Sequence, residues 1–289
     1  MLSGVFTALV TPFVNGQVDY ECFERLCRRQ IEAGVAGLVP CGTTGETPCL
    51  SEAEWLRLIS IAVRVTKESS REVPVIAGCG SNNTVTTLHN LRLAKELGAD
   101  AALVVFPYYN KPNDAGLRAH VHAAAAEGLP LVLYHVPGRT GQRLSAHVLE
   151  ALCRIDGVIA LKEATGDVNL GQELLNRLSD TEVSLLSGDD FTFAALAAMG
   201  FHGVISVLSN PAPKRTVSWL NAAQIGDMKT LREQRGQLLP LVAELFSSTN
   251  PLPCKSIMAA QGLLRNEARL PLVALEQPAI LDAEWGELL

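Results

Sequence analysis

The chain of 289 residues contains no run of lysine or arginine, and its 24 basic side chains are outnumbered by 30 acidic ones, for a formal net charge of -6. Without a basic patch there is no electrostatic footprint for a phosphate backbone or an anionic bilayer, which excludes nucleic acid and membrane as main partners. No uninterrupted apolar stretch approaches the roughly 20 residues that a membrane helix needs. Nor does Met1-Leu2-Ser3-Gly4-Val5 lead from a basic segment into a long apolar one. A cytoplasmic location is expected. The seven cysteines are scattered, never form a Cys-x-x-Cys pair, and read as reduced packing residues. Only Cys41 and Cys79 fall near strand ends, where a thiol nucleophile could stand. The six histidines show neither His-x-x-x-His nor His-Glu-x-x-His spacing, and His120 and His122 would point to different sides of a helix, so no metal site is expected.

Hydrophobic residues make up 48% of the chain, enough for a sizeable core. Apolar runs rich in valine, isoleucine and leucine recur with helix-like segments between them, the pattern of repeated βα units around a parallel sheet. Eight such runs are predicted, at 5–13, 37–42, 73–80, 101–109, 130–137, 157–163, 183–189 and 203–209. Helical spacing intervenes, as in Phe23, Leu26, Cys27, Gln30 and Ile31, and Ser51-Glu52-Ala53-Glu54 reads as a capping box. Gly34 and Gly98 read as helix stops. The fold class is therefore α/β, a (β/α)8 TIM barrel over 1–225, with a C-terminal helical extension over 226–289 interrupted by Pro251, Pro253, Pro271 and Pro278.

In such barrels the reactive groups sit where strands end. The sixth run, Val158-Ile159-Ala160-Leu161-Lys162-Glu163, delivers a lysine there, and an amine held away from water is free to attack a carbonyl and form an imine. Tyr134 ends the preceding run, so its phenol lies near that amine and can move protons, given hydrogen-bonded partners; Thr44 and Tyr109 are candidates. Gly42-Thr43-Thr44-Gly45-Glu46 offers backbone N–H groups and hydroxyls to an anion, and Arg139 suits a second carboxylate. Asp190 is read as the cap of the helix starting near Phe191. Gly78-x-Gly80 lacks the third glycine of a dinucleotide fingerprint, since Asn83 stands there, and is rejected.

Seven segments carry a resemblance: Gly42 to Glu46, Pro107-Tyr108-Tyr109-Asn110-Lys111-Pro112, Tyr134-His135-Val136-Pro137-Gly138-Arg139-Thr140-Gly141, Leu161 to Gly166, Leu186-Ser187-Gly188-Asp189-Asp190, Gly203 to Val207 and Asn250-Pro251-Leu252-Pro253. Together they resemble the dihydrodipicolinate synthase family, within the pyruvate-dependent class I aldolase superfamily that also holds N-acetylneuraminate lyase. The resemblance implies condensation of pyruvate with L-aspartate 4-semialdehyde to hydroxytetrahydrodipicolinate, on the route to lysine and diaminopimelate. It implies a Schiff base on Lys162, with Thr43 and Thr44 holding the pyruvate carboxylate, and a proton relay of Tyr134, Thr44 and Tyr109, the last reaching into a neighbouring subunit's site. Arg139 would bind the second substrate, and Gly188 and Ile205 would line the pyruvate site. No cofactor and no metal are implied, and the expected assembly is a homotetramer, a dimer of dimers. Two alternatives stand beside this reading: an aldolase or lyase for a sugar acid or hydroxy-oxo acid, and a catalytically silent small-molecule sensor. A metal-dependent aldolase is disfavoured by the histidine spacing.

Three departures from the family pattern stand out: Phe106 for a threonine, a shorter segment after Tyr109, and His135 for an asparagine, all in segments expected to shape the pocket beyond pyruvate. Lysine-inhibited relatives bind lysine with two histidines and a glutamate, at positions held here by Glu52, Trp55 and Thr86, although Asn82 and Tyr108 match. Weak or absent lysine inhibition is expected.

Overall fold

The structure, a computed structural model, describes residues 1–276. Its strands are β1 (Gly4–Ala8), β2 (Phe13–Val14), β3 (Gln17–Val18), β4 (Gly37–Val39), β5 (Ile76–Gly78), β6 (Ala101–Val105), β7 (Leu131–His135), β8 (Val158–Glu163), β9 (Ser184–Ser187) and β10 (Gly203–Ser206). All but β2 and β3 form one parallel sheet in the order β4-β1-β10-β9-β8-β7-β6-β5. A single parallel bridge, Leu38 to Val75, joins the two edges, so eight strands close into a barrel. The Leu38 amide donates to Pro74 O and the Gly78 amide to Pro40 O, each at 3.0 Å, and these bonds complete the seam.

Helices α1 (Tyr20–Glu32), α2 (Glu52–Lys67), α3 (Thr84–Glu96), α4 (Asp114–Ala125), α5 (Pro137–Thr140), α6 (Ala146–Cys153), α7 (Val168–Arg177), α8 (Phe193–Ala198) and α9 (Pro213–Ile225) alternate with the strands. The Ser51–Glu54 capping box opens α2 as its spacing predicts, and Gly34 and Gly98 follow α1 and α3 with φ of 91° and 84°. Strand alternation divides the core in two. Phe6, Val39, Ile76, Val132, Ala160 and Leu186 fill the barrel interior, while their strand neighbours, such as Val5, Leu131 and Leu161, pack outward against the helices.

The strands are shorter than the apolar runs that encode them. The run at 5–13 pairs only as far as Ala8; its end instead joins an antiparallel hairpin, Phe13 opposite Val18, around Asn15 and Gly16 with φ of 51° and 75°. Two left-handed residues in a two-residue loop make the primed turn that matches strand twist. Beyond the barrel come α10 (Met228–Leu245) and α11 (Leu252–Ala260). Pro253 does not interrupt α11 but begins it, in the first turn where a missing N–H costs nothing. From 261 to 276 the chain is irregular rather than helical, pinned by side chains: Glu267 accepts from the Asn15 amide at 2.9 Å, and Arg269 donates to Gly16 O and Glu54. Pro278 and the rest of the expected helical region, 277–289, lie outside the described residues.

Asp190 is not the helix cap. Asp189 accepts from the amides of Phe191 and Thr192 at 3.0 and 2.9 Å. Asp190, fully buried, reaches across to β10, where Ser206 Oγ (2.6 Å), Val207 N–H (2.8 Å) and Leu208 N–H (3.1 Å) all donate to it. Burial pushes its carboxyl up to about 6, and those three donors pull it back only in part. A raised folded-state pKa means that ionisation costs the folded state more than the unfolded one, so this group's contribution is full near pH 4 and declines as pH rises to about 6. Urea unfolding of the D190N protein checks this: the wild-type advantage in stability should shrink across that interval, and D190A should lose about 2–3 kcal/mol through three stranded donors.

Candidate active site

Strand pairing brings two of the predicted residues together directly. Tyr134 on β7 lies opposite Lys162 on β8, both facing inward, and Lys162 Nζ sits 4.1 Å from the centroid of the Tyr134 ring. Lys162 is 5% exposed, among the apolar side chains that fill the barrel. Its stem passes Gly188 so closely that a Cβ there would stand 2.7 Å from Lys162 Cε, which leaves glycine as the residue that fits. Ile205 is buried in the same interior layer.

Above β4, Thr43–Gly45 form one 3-10 turn that ends at Glu46 in a left-handed conformation, φ 54°. A non-glycine residue holds such a conformation when its surroundings dictate it, and they do. Thr11 Oγ1 donates to Gly45 O at 2.7 Å. The buried Glu46 carboxylate meets Lys255 Nζ at 2.5 Å and accepts from the Arg269 amide at 3.1 Å. Lys255 is itself buried, 4.3 Å from the Phe13 ring centroid, and burial pulls its ammonium below the usual lysine range. Asn250 Nδ2 donates to Thr44 Oγ1 at 3.0 Å, while Arg139 Nη2 donates to Asn250 O at 3.1 Å. The Thr43–Thr44 turn is thus braced from behind by a segment more than 200 positions away.

A cavity of about 520 Å³ opens over this end of the barrel, lined by Gly42, Thr43, Tyr134 and Arg139 and extending to Tyr108, Trp55 and Thr86. Its size lies in the range of small-molecule sites. In the extension the Trp55 indole N–H donates to Gly78 O at 3.0 Å, and Glu52 pairs with His89 at 2.7 Å. Tyr109 takes no part in its own chain's cavity: it is 88% exposed with φ 72° and projects outward. Thr44 lies on the turn, its hydroxyl oxygen engaged by Asn250.

Two of the departures from the family pattern face away from the cavity. Phe106 and His135 are buried outside the barrel wall, their rings 6.2 Å apart. Period-two alternation requires this: if Tyr134 points in, its neighbour points out. Cys41 and Cys79 are fully buried, and burial pushes both thiols up, away from thiolate chemistry. Among the described residues no group of three or more His, Cys, Asp or Glu could hold a metal, and no helix is long and apolar enough to cross a membrane. Sequence reasoning assigned no role to Lys255, Asn250 or Glu163. Asn250 and Glu163 lie in segments that carry the family resemblance, whereas the sequence carries no mark that a buried Lys255 meets Glu46.

The comparisons with known proteins agree with this geometry. The model of the dihydrodipicolinate synthetase family matches residues 1–283. A 4-hydroxy-tetrahydrodipicolinate synthase of Thermomicrobium roseum is 45% identical over 276 residues, 95% of this chain and 90% of the relative, and one from Nitratidesulfovibrio vulgaris is 45% identical over 277 residues, 95% and 94% of the two chains. A crystal structure of a chloride-inhibited dihydrodipicolinate synthase from Acinetobacter baumannii complexed with pyruvate superposes with a TM-score of 0.92 at 39% identity, covering 96% of this chain and 94% of that one. The barrel, the paired Tyr134 and Lys162 and these matches along nearly the whole sequence lead to one statement: the chain belongs to the dihydrodipicolinate synthetase family.

Proposed function

We propose that this protein is a lyase of the class I aldolase type that condenses pyruvate with L-aspartate 4-semialdehyde, giving hydroxytetrahydrodipicolinate for lysine and diaminopimelate synthesis. The observation that carries the reading is the buried Lys162 amine against the Tyr134 ring, in a chain 45% identical to named synthases. The Lys162 amine attacks the C2 carbonyl of pyruvate, and the resulting carbinolamine expels water to leave the imine. Loss of a C3 proton gives the enamine, whose C3 attacks the aldehyde carbon of the second substrate. The amino group of that substrate then adds to the imine carbon, closing the ring and releasing Lys162. Tyr134 gives and takes the protons of these steps. Thr43 and Thr44 receive the pyruvate carboxylate and Arg139 the carboxylate of the semialdehyde. No cofactor enters the sequence, because the imine itself acts as the electron sink.

In this reading the barrel over 1–225 carries the chemistry and the C-terminal region braces it. Tyr109, exposed and held in a left-handed conformation, serves the site of a second copy, and the family's dimer of dimers is the assembly we assign. An aromatic ring presented on such a projection is what an interface uses.

Borohydride reduction with pyruvate, followed by mass spectrometry, tests the reading: wild type should gain one reduced pyruvate on Lys162, K162A none, and Y134F should turn over about 10² to 10⁴ times more slowly. Absence of the adduct in wild type would sink it. Coupled assays with millimolar lysine should show little inhibition, since Trp55 is committed to Gly78 O, Glu52 to His89, and Thr86 offers no carboxylate to an ammonium. K255M leaves a buried Glu46 carboxylate unpaired; a loss of about 3–5 kcal/mol in stability and a raised KM for pyruvate should follow, with E46Q/K255M recovering part of both.

A further inference from the structure

One buried polar pair stands directly behind the reactive residues and has no part in the steps above. His135 and Glu163 follow Tyr134 and Lys162 in sequence and are themselves opposite one another across β7 and β8, facing the helices, with both side chains wholly buried. The tautomer of His135 follows from its partners. The Leu144 amide, which can only donate, points at Nε2 at 3.1 Å, so the ring proton resides on Nδ1, and that nitrogen lies 3.2 Å from Glu163 Oε1. Glu163 is further engaged by the Thr165 amide at 2.9 Å on Oε1 and the Thr165 hydroxyl at 2.9 Å on Oε2. Three donors thus converge on one carboxylate, and the Phe106 ring lies beside the imidazole on its buried side.

The backbone at this level is tied as well. Ala164 N–H donates to His135 O at 3.0 Å, and Gly188 N–H to Glu163 O at 2.7 Å. Lower down the same strand pair the register shifts between Leu131 and Val132. Pairing at the base of β7 and β8 therefore does not by itself dictate which residues meet at the top. A side-chain bridge one residue beyond the reactive pair does, because a slip of either strand that parted Tyr134 from Lys162 would also break the bond between His135 and Glu163.

We propose that His135 and Glu163 are positioning residues, a buried bridge that holds the Tyr134 phenol and the Lys162 amine in reacting alignment without touching substrate. The inference rests on the reading of Lys162 as the imine-forming residue. It also gives a role to the histidine that departs from the family pattern. Asparagine at 135 reaches Glu163 with its Nδ2 as imidazole does with Nδ1, but has no atom where Nε2 meets Leu144. The bond to Glu163, not the one to Leu144, is what the alignment depends on.

The experiment compares wild type, H135L, H135N and E163Q as full-length proteins, counting competent sites by borohydride trapping with pyruvate and expressing turnover per trapped site. H135L and E163Q should lose roughly ten- to a hundredfold in kcat per trapped site, the scale expected for about an ångström of misplacement, with little change in KM for pyruvate, whose carboxylate turn follows β4 on another side of the barrel. H135N should recover most of the loss. A merely structural role predicts fewer trapped sites and a lower melting temperature but normal kcat per site; that result, or an H135N protein no better than H135L, overturns the proposal. If H135L does not fold, E163Q carries the comparison with the same readouts. Wild type that traps no pyruvate would refute the functional reading, and this proposal with it.

Discussion

Two side chains on adjacent parallel strands, Tyr134 and Lys162, must point into the same small space at the same height, and much of the architecture serves that requirement. A parallel ladder fixes the height, and strand alternation fixes the side. The interior apolar residues beneath them keep water from the amine, and the glycine at 188 gives its stem room. An amine in such a place is worth more as a nucleophile than on the surface, because little solvation must be stripped from it before it reacts.

The proposed chemistry also needs a turn that receives the pyruvate carboxylate beside that amine. Here the barrel contributes little directly. The Thr43–Thr44 turn is short, ends in a left-handed glutamate, and is shaped by the buried Glu46–Lys255 pair, by Asn250 and by Arg269. A buried ion pair adds little net stability, but removing either partner leaves an uncompensated buried charge, so the two residues hold each other in place. The C-terminal segment is therefore part of the site's construction rather than an appendage to the barrel.

How much of this was legible in the sequence depends on the range of the interaction. The placement of Lys162 and Tyr134 could be read because an apolar run carrying a polar side chain near its end is a local pattern, and the fold rule then says where it points. The direction of His135 is also readable from period two, which turns it away from the pocket that its segment is expected to shape. The Asn15–Gly16 turn was hidden inside a run that read as one long strand. Adjacent carboxylates at 189 and 190 could not be assigned by spacing, because either can reach a helix N-terminus; only the neighbouring β10 decides. Lys255 meeting Glu46, 209 positions apart, leaves no trace in a single sequence.

That long reach has a consequence for the order of events as the chain is made. Residues 43 to 46 leave the ribosome early, whereas Asn250, Lys255 and Arg269, which shape them, emerge near the end of the described chain. A nascent barrel can therefore gather its eight strands before the segment that moulds the 43–46 turn has been made, and that turn takes its bracing contacts late in synthesis.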